Sequence, residues 1–438
     1  MTSFPRLSAA KTIYRVIKDG AYSNIELFGE EKPNPANTNS NQNENLDKAL
    51  HLAIVKTSLE RKITLDYVIS RFVKTPPDLK TLTFLYVGAS QILYFDKIPF
   101  SAACDETVRA AKTDLDQKRT GFINGVLRNI CRSKDKILAE ISSENDSVKY
   151  SLDPGICSLI RRQYPEKADE IFTSMFVKPP LCLRPNTLRT DEVKLAEFLT
   201  QNGVGAVAED GVFEVTSSPE KALRFISTGM FYVQGYPSQK AVKALGVKKG
   251  MTVIDVCACP GGKALGAAID MENAGRVIAL DIHENKFSLL KKSAVTLGVT
   301  IIETKVHDSR EALKDLSGVA DAVICDVPCS SLGVIPQKPE VRFKKLFSED
   351  KSDPKSIGGL ESLLDTQSRI LAASSSYVKP GGALVYSTCT VNKDENQSQV
   401  ESFLKSNKDF SCEDEKQFLI SPGGGFYGFY IAKLRKNR

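Results

Sequence analysis

Through the first third of the chain, apolar residues recur every three or four positions; beyond it they fall into short, β-branched runs. The first spacing predicts helices at "AAKTIYRVI", "LDKALHLAIV", "LDYVISRF", "LKTLTFLYVGASQIL", "FSAACDETVRAA" and "RTGFINGVLRNIC", with Pro76, Pro77 and Gly121 as turn signals between them. Lys32 to Glu44, "KPNPANTNSNQNE", is rich in asparagine and reads as a mobile polar loop. Residues 1–140 therefore form an all-helical domain. Residues 141–235 read as linker helices and a small α+β module: "LCLRPN", "VFEVT" and "MFYVQG" as strands, and "DEVKLAEFLTQNG" as a helix stopped by Gly203. Over 236–438 the runs "TVIDVC", "RVIALD", "TIIETKV", "DAVICD" and "ALVYST" are separated by helical patterns such as "ENKFSLLKKSAVTLG" and "GLESLLDTQSRILAASSSYV". Regular alternation of this kind predicts an α/β domain with a doubly wound sheet. The tail "GGGFYGFYIAKL" adds an aromatic strand, expected at an antiparallel edge.

Composition supports a globular chain of several domains: 438 residues, 42% hydrophobic and 26% charged. The net charge of +6 permits a nucleic-acid partner without requiring one. Most of the excess lies in residues 1–150, with 22 Lys and Arg against 18 Asp and Glu, which weakly favours RNA there, although a solvated charged surface is the commoner explanation. The most apolar stretch, "TFLYVGASQILYF", is interrupted by Ser90 and Gln91 and reads as a buried helix, so no membrane partner is expected. The N-terminus lacks the apolar core of a secretory signal, and a cytoplasmic location follows as the expectation. Ten cysteines form no disulfide framework. Cys257/Cys259 and Cys325/Cys329 lack CxxC spacing, and His51, His283 and His307 form no HxxxH pair, so no metal is expected either.

The chemistry concentrates at predicted strand ends. The first strand of the α/β domain runs into "DVCACPGGK", Asp255 to Lys263, where Gly261 and Gly262 let a ligand approach the backbone. Ala264 excludes the phosphate-binding GxxxxGK[ST] loop, and the spacing is not GxGxxG. The second strand ends on Asp281, placed to bind both hydroxyls of a ribose, and the third ends near Asp308, placed to meet a base. A nucleoside cofactor without a pyrophosphate reads as S-adenosylmethionine; a tight turn beside surface acids is the plainer alternative. The fourth strand ends on Asp326, the chain turns at Pro328, and Cys329 follows; the fifth ends in "STCT", presenting Cys389. Singly, each cysteine is more often a small buried filler. As a pair beside a methyl donor, they have a chemical use. A pyrimidine carbon becomes nucleophilic only after a thiolate adds to its neighbour, and that adduct must later be eliminated.

"DVCACPGGK", "DVPCSSLG" and "STCT", in this order, resemble the RNA cytosine-5 methyltransferase family (NOL1/NOP2/Sun, Fmu). "FINGVLRNI" and the helices before it are similar to the NusB-like domain of the family's bacterial small-subunit ribosomal RNA branch, and "PPLCLRPNTLR" to the small module that precedes its catalytic domain. The resemblance implies a Rossmann-like, S-adenosylmethionine-dependent methyltransferase domain behind those two, and methylation of carbon 5 of a cytosine in small-subunit (16S) ribosomal RNA. By the family pattern the cofactor lies on Cys257, Ala258, Cys259, Pro260, Gly261, Gly262, Lys263, Asp281, Asp308 and Asp326. Cys389 is the nucleophile on ring carbon 6, Cys329 helps remove the carbon-5 proton and release the enzyme, and Asp326 bonds the base near N3. Lys263 is also expected near the base. The sequence departs from the pattern at Cys259 (commonly alanine), at Gly235 (commonly aspartate), in the weakly basic "VIPQKPEVRF", and in a long "KKLFSEDKSDPKSIGG". The rivals are a transfer-RNA enzyme with the same chemistry, disfavoured by the NusB-like front end, and a non-catalytic NusB-like RNA-binding protein, disfavoured by two intact thiols. A DNA cytosine methyltransferase would not need the second cysteine motif.

Overall fold

The computed structural model describes residues 5–19, 42–347, 359–421 and 426–438, and they fall into two compact units. One is Met1–Ala168 together with Ile335–Ile357; the other is Asp169–Val334 with Gly358–Arg438.

The first unit is helical. Its central helix, Leu79–Tyr94, is buried almost all the way round, as expected of a helix with so broad an apolar surface. Asp78 caps it by accepting the Thr81 N–H. Around it pack Pro5–Asp19, Gln42–Glu60, Lys62–Ser70, Phe100–Ala111 and Gln117–Arg132, sharing one core that includes Ile13, Ile54, Leu85, Ile92, Ile123 and Leu127. Two sequence expectations change here. Gly121 is not a turn: it lies inside Gln117–Arg132, whose buried Ile123, Val126, Leu127 and Ile130 keep the helical period through it. Packing of that face outweighs the roughly 1 kcal/mol that glycine costs a helix interior. Of the polar loop expected over Lys32 to Glu44, the part up to 41 lies outside the described residues, while Gln42–Glu44 already belong to a helix. The later segment contributes Pro339–Phe343, whose Arg342 is completely buried and donates to the Tyr150 carbonyl at 3.0 Å.

The second unit holds two sheets. The small one is antiparallel, ordered β2-β3-β1-β4, with β1 Leu181–Pro185, β2 Gly205–Glu209, β3 Val212–Ser217 and β4 Phe231–Val233. Arg184 on β1 donates to both carboxylate oxygens of Asp270 at 2.7 Å, and Asn186 donates to the Gly229 and Leu297 carbonyls. The "LRPN" motif thus fastens the small sheet to the rest of its unit.

The large sheet comprises β5 Thr252–Asp255, β6 Arg276–Asp281, β7 Ile302–Val306, β8 Ala320–Asp326, β9 Val378–Thr388, β10 Phe410–Phe418 and β11 Phe429–Lys436. Its order is β10-β11-β9-β8-β5-β6-β7, parallel from β9 to β7 and antiparallel at β10 and β11. Alternate residues feed two cores, Val253, Val277 and Ile324 on one face, and Ile254, Ile278 and Val323 on the other. The tail strand β11, expected from sequence at an edge, is instead sandwiched between β9 and β10. The missed edge strand β10 is exposed at six successive positions, so it carries no apolar alternation to read. The strand order reverses between β5 and β8, which is where open α/β sheets bind their ligands.

Candidate active site

Three strand ends converge on that reversal. After β5 the chain turns through Val256 to Gly261 before the helix Gly262–Asp270. Gly261 takes φ +111°, and a Cβ there would meet the Leu290 side chain at 2.7 Å, so both conformation and space require glycine. The turn is tied to its neighbours by Val256 N–H on the Ile324 carbonyl and Ala258 N–H on the Leu280 carbonyl. Asp281 ends β6 and is buried; its Oδ2 accepts the Cys259 N–H at 3.0 Å and its Oδ1 the His283 N–H at 2.9 Å. Each oxygen retains a second lone pair, the acceptor set a vicinal diol needs.

Asp308 lies two residues beyond β7 on the same rim, since the His307 N–H bonds the Asp281 carbonyl and the Ser309 hydroxyl bonds the Val256 carbonyl. Arg310 grips its carboxylate through Nε and a terminal nitrogen, holding it down at about 2.

The acidic residues nearest the reversal share one lysine. Lys263 Nζ donates to Asp326 Oδ2 at 2.6 Å, and the Ser387 hydroxyl donates to Asp326 Oδ1 at 2.6 Å. Burial pulls the Lys263 ammonium down, but Asp326, Asp255 and Cys389 more than offset it and leave it raised. Lys263 also sits 5.4 Å from the Phe429 ring centroid. Asp255, the last residue of β5, was not singled out from sequence. Burial, then repulsion from Asp326, pushes it up to about 7 despite Lys263.

The thiols of Cys329 and Cys389 stand 3.1 Å apart, both reduced. Register explains the meeting: Asp326 on β8 pairs with Ser387 on β9, so three residues past one and two past the other reach the same point. Cys389 is further fixed by its carbonyl, which accepts the Gly333 N–H, while the Gly333 carbonyl accepts the Gly428 N–H. A Cβ on Gly333 would overlap the Gly428 backbone. Behind the thiols lies a polar network the sequence did not reveal, centred on the fully buried Glu395. The other cysteines here are unsuited to attack. Burial drives Cys257 well above the usual thiol range, and burial followed by Asp281 takes Cys259 up to about 12. Gly235 is explained in part: the Tyr427 ring occupies the space a side chain there would need. The long insertion after residue 347 lies outside the described residues as far as 358.

A reversed, mostly parallel sheet with a glycine turn and with acids and thiols at its strand ends has the architecture of a Rossmann-like methyltransferase. Solved structures share the fold. The crystal structure of PH0851 matches with a TM-score of 0.79 at 22% identity, covering 100% of this chain and 99% of that one. NSun6 from Pyrococcus horikoshii, solved with SFG, matches at 0.55 and 20% identity, covering 65% of this chain and 98% of that one. A family model described as 16S rRNA methyltransferase RsmB/F matches residues 242–425, and one for the NusB family matches residues 4–132. The probable ribosomal RNA small subunit methyltransferase B of Bacillus subtilis (strain 168) is 30% identical over 98% of both chains. Ribosomal RNA small subunit methyltransferase B of Escherichia coli O1:K1 / APEC is likewise 30% identical over 98% of both. The chain belongs to the ribosomal RNA small subunit methyltransferase B family. Among the described residues, no helix is long and apolar enough to cross a membrane, and no group of three or more His, Cys, Asp or Glu is arranged to hold a metal ion.

Proposed function

We propose that this protein methylates carbon 5 of a cytosine in small-subunit ribosomal RNA, acting in the cytoplasm with S-adenosylmethionine as cofactor and Cys389 as covalent nucleophile. The observation that carries this is the 3.1 Å pair of reduced thiols at neighbouring strand ends, beside a half-buried lysine–aspartate pair. The family relatives support the RNA class, and the NusB-like helices with their basic excess support RNA contact by the first unit.

The site residues fit the cofactor. The turn Cys257, Ala258, Cys259, Pro260, Gly261, Gly262 and Lys263 forms a cradle closed to a side chain at Gly261, and Asp281 retains acceptor capacity for two hydroxyls. Asp308 and Asp326 complete that rim. When bound, S-adenosylmethionine supplies an electrophilic methyl group.

The Cys389 thiolate forms a bond to cytosine carbon 6, and the carbon 5–carbon 6 π electrons move into the ring toward N3. The Lys263–Asp326 pair meets that charge and supplies a proton on the N3 side. Those electrons would return through carbon 5, which would take the methyl group as that group's bond to the donor sulfur breaks, and the proton on the N3 side would go back to the Lys263–Asp326 pair. Loss of the carbon-5 proton to Cys329 or to a base it relays to restores the double bond, and the carbon 6–sulfur bond breaks to return Cys389 as thiolate.

The test compares two variants on a denaturing gel with RNA and cofactor. Cys389→Ala should form no protein–RNA adduct and transfer no methyl. Cys329→Ala should attack and methylate, then stall as a trapped adduct, because an intermediate accumulates when only its breakdown is blocked. A trapped band from Cys389→Ala, with none from Cys329→Ala, would reverse the roles of the thiols.

A further inference from the structure

The two thiols are alike in chemistry and 3.1 Å apart, yet the reaction asks different things of them. Their surroundings differ. Lys263 lies on the Cys389 side and interacts electrostatically with it. On the Cys329 side lies Glu395, a carboxylate with no exposed surface, six residues past Cys389 in the polar run "VNKDENQ".

A buried carboxylate is costly unless its lone pairs are filled, and Glu395 fills four. Oε2 accepts the Ser330 N–H at 2.8 Å and Gln367 Nε2 at 3.0 Å; Oε1 accepts the Ser330 hydroxyl at 2.5 Å and Asn392 Nδ2 at 3.0 Å. Ser330 is the residue after Cys329, and Asn392 lies three past Cys389. Gln367 also donates to the Pro328 carbonyl at 3.0 Å, so Cys329 is held from both sides. Ser330 and Thr390 hydroxyls meet at 2.8 Å, and the Tyr386 hydroxyl donates to the Glu395 carbonyl at 2.7 Å. One carboxyl group therefore collects donors from both thiol loops. Its bonds to the Cys329 loop are two of the four, both from the single residue that follows that thiol.

We propose that Glu395 is a positioning residue that acts through Cys329: it locks the Cys329 loop against the Cys389 loop, so that attack falls to Cys389 and release to Cys329. The inference rests on the assignment of the two thiols made above. Contact with Cys389, then burial, and further off the Glu395 charge, all hold Cys329 well above the ordinary thiol range, in keeping with this division. Once Cys389 is bonded to carbon, its influence on Cys329 is gone and Cys329 is free to serve release.

The test uses the full-length protein with a small-subunit ribosomal RNA transcript and cofactor. Glu395→Gln keeps the volume and replaces one acceptor with a donor facing donors, loosening the Cys329 loop. It should accumulate covalent adduct at least about tenfold above wild type, as one or two lost charge-assisted bonds imply, with cofactor affinity within about twofold. Ser330→Ala, a milder change, should move the same way by a smaller factor. A structural defect alone lowers attack and release together and builds up no adduct. Adduct at the wild-type level in both variants while Cys329→Ala still traps would overturn the role of Glu395 alone. Failure of Cys329→Ala to trap would overturn the thiol assignment beneath it. Loss of adduct and cofactor binding together in Glu395→Gln, with Ser330→Ala unchanged, would make Glu395 a structural residue only and sink the proposal.

Discussion

The rim proposed for the cofactor and the thiol pocket share the strand-end rim of one sheet but are built by different means. The rim is shaped by backbone that sets its acids in place: a glycine at φ +111°, N–H groups delivered to the Asp281 carboxylate, and strand ends in register. The pocket is made of side chains in charged company, with Lys263, Asp255 and Asp326 on one side and Glu395 on the other. The comparison teaches that binding and chemistry should separate under mutation.

The hardest test is Lys263→Met. It removes the cation that pairs with Asp326 and faces Cys389, and should slow adduct formation by about 10²–10³-fold, the usual cost of losing one preorganised electrostatic stabiliser. Cofactor affinity, read by calorimetry, should change far less, because Lys263 would serve the cradle through its backbone while its side chain is committed to Asp326. An equal loss in both would erase the distinction between the two regions. Next in size, Asp281→Ala should do the reverse. It should weaken the cofactor by roughly 10–100-fold, since hydrogen bonds to a charged group contribute about 1.5–3 kcal/mol, while adduct formation at saturating cofactor stays close to wild type. Unchanged affinity would remove Asp281 from the rim.

The smallest effect concerns stability. Asp255 is raised from 3.8 to about 7, first by burial and then by Asp326. Below the lower value it is protonated whether the chain is folded or not. Between the two the folded state binds the proton more tightly, so this group's stabilising contribution shrinks as pH rises and is lost above about 7. Asp255→Asn removes that dependence. Melting temperatures from pH 5 to 8 should fall more steeply in wild type than in the variant, with a difference of roughly 2–8 °C. Parallel curves would show that Asp255 does not titrate in that window.

What the sequence made legible follows the same line. The apolar period located the sheet strands from β5 to β9, and glycine or strand-end positions marked Gly261, Asp281, Asp326, Cys329 and Cys389, because special backbone demands and strand ends leave local traces. Glu395 left none: inside "VNKDENQ" a carboxylate reads as solvated, and only the fold shows that Ser330, Gln367 and Asn392 come from distant positions to meet it. Strand β10, "FSCEDEKQF", escaped because an exposed edge is stabilised by its ladder to β11 and needs no apolar pattern. Gly121 misled because helix packing overrode a local breaker.

The helical unit's second segment bears on how the protein is made. Ala168 and Ile335 belong to one compact unit, yet the intervening chain belongs to the other. On a ribosome adding about 5–20 residues per second, the helices emerge on the order of ten to thirty seconds before the piece carrying Arg342. During that interval the Tyr150 carbonyl lacks its buried guanidinium partner. The N-terminal helices are thus synthesised first but completed late, so the nascent chain must hold an unfinished helical body while the strands and glycine turn of the cofactor rim take shape.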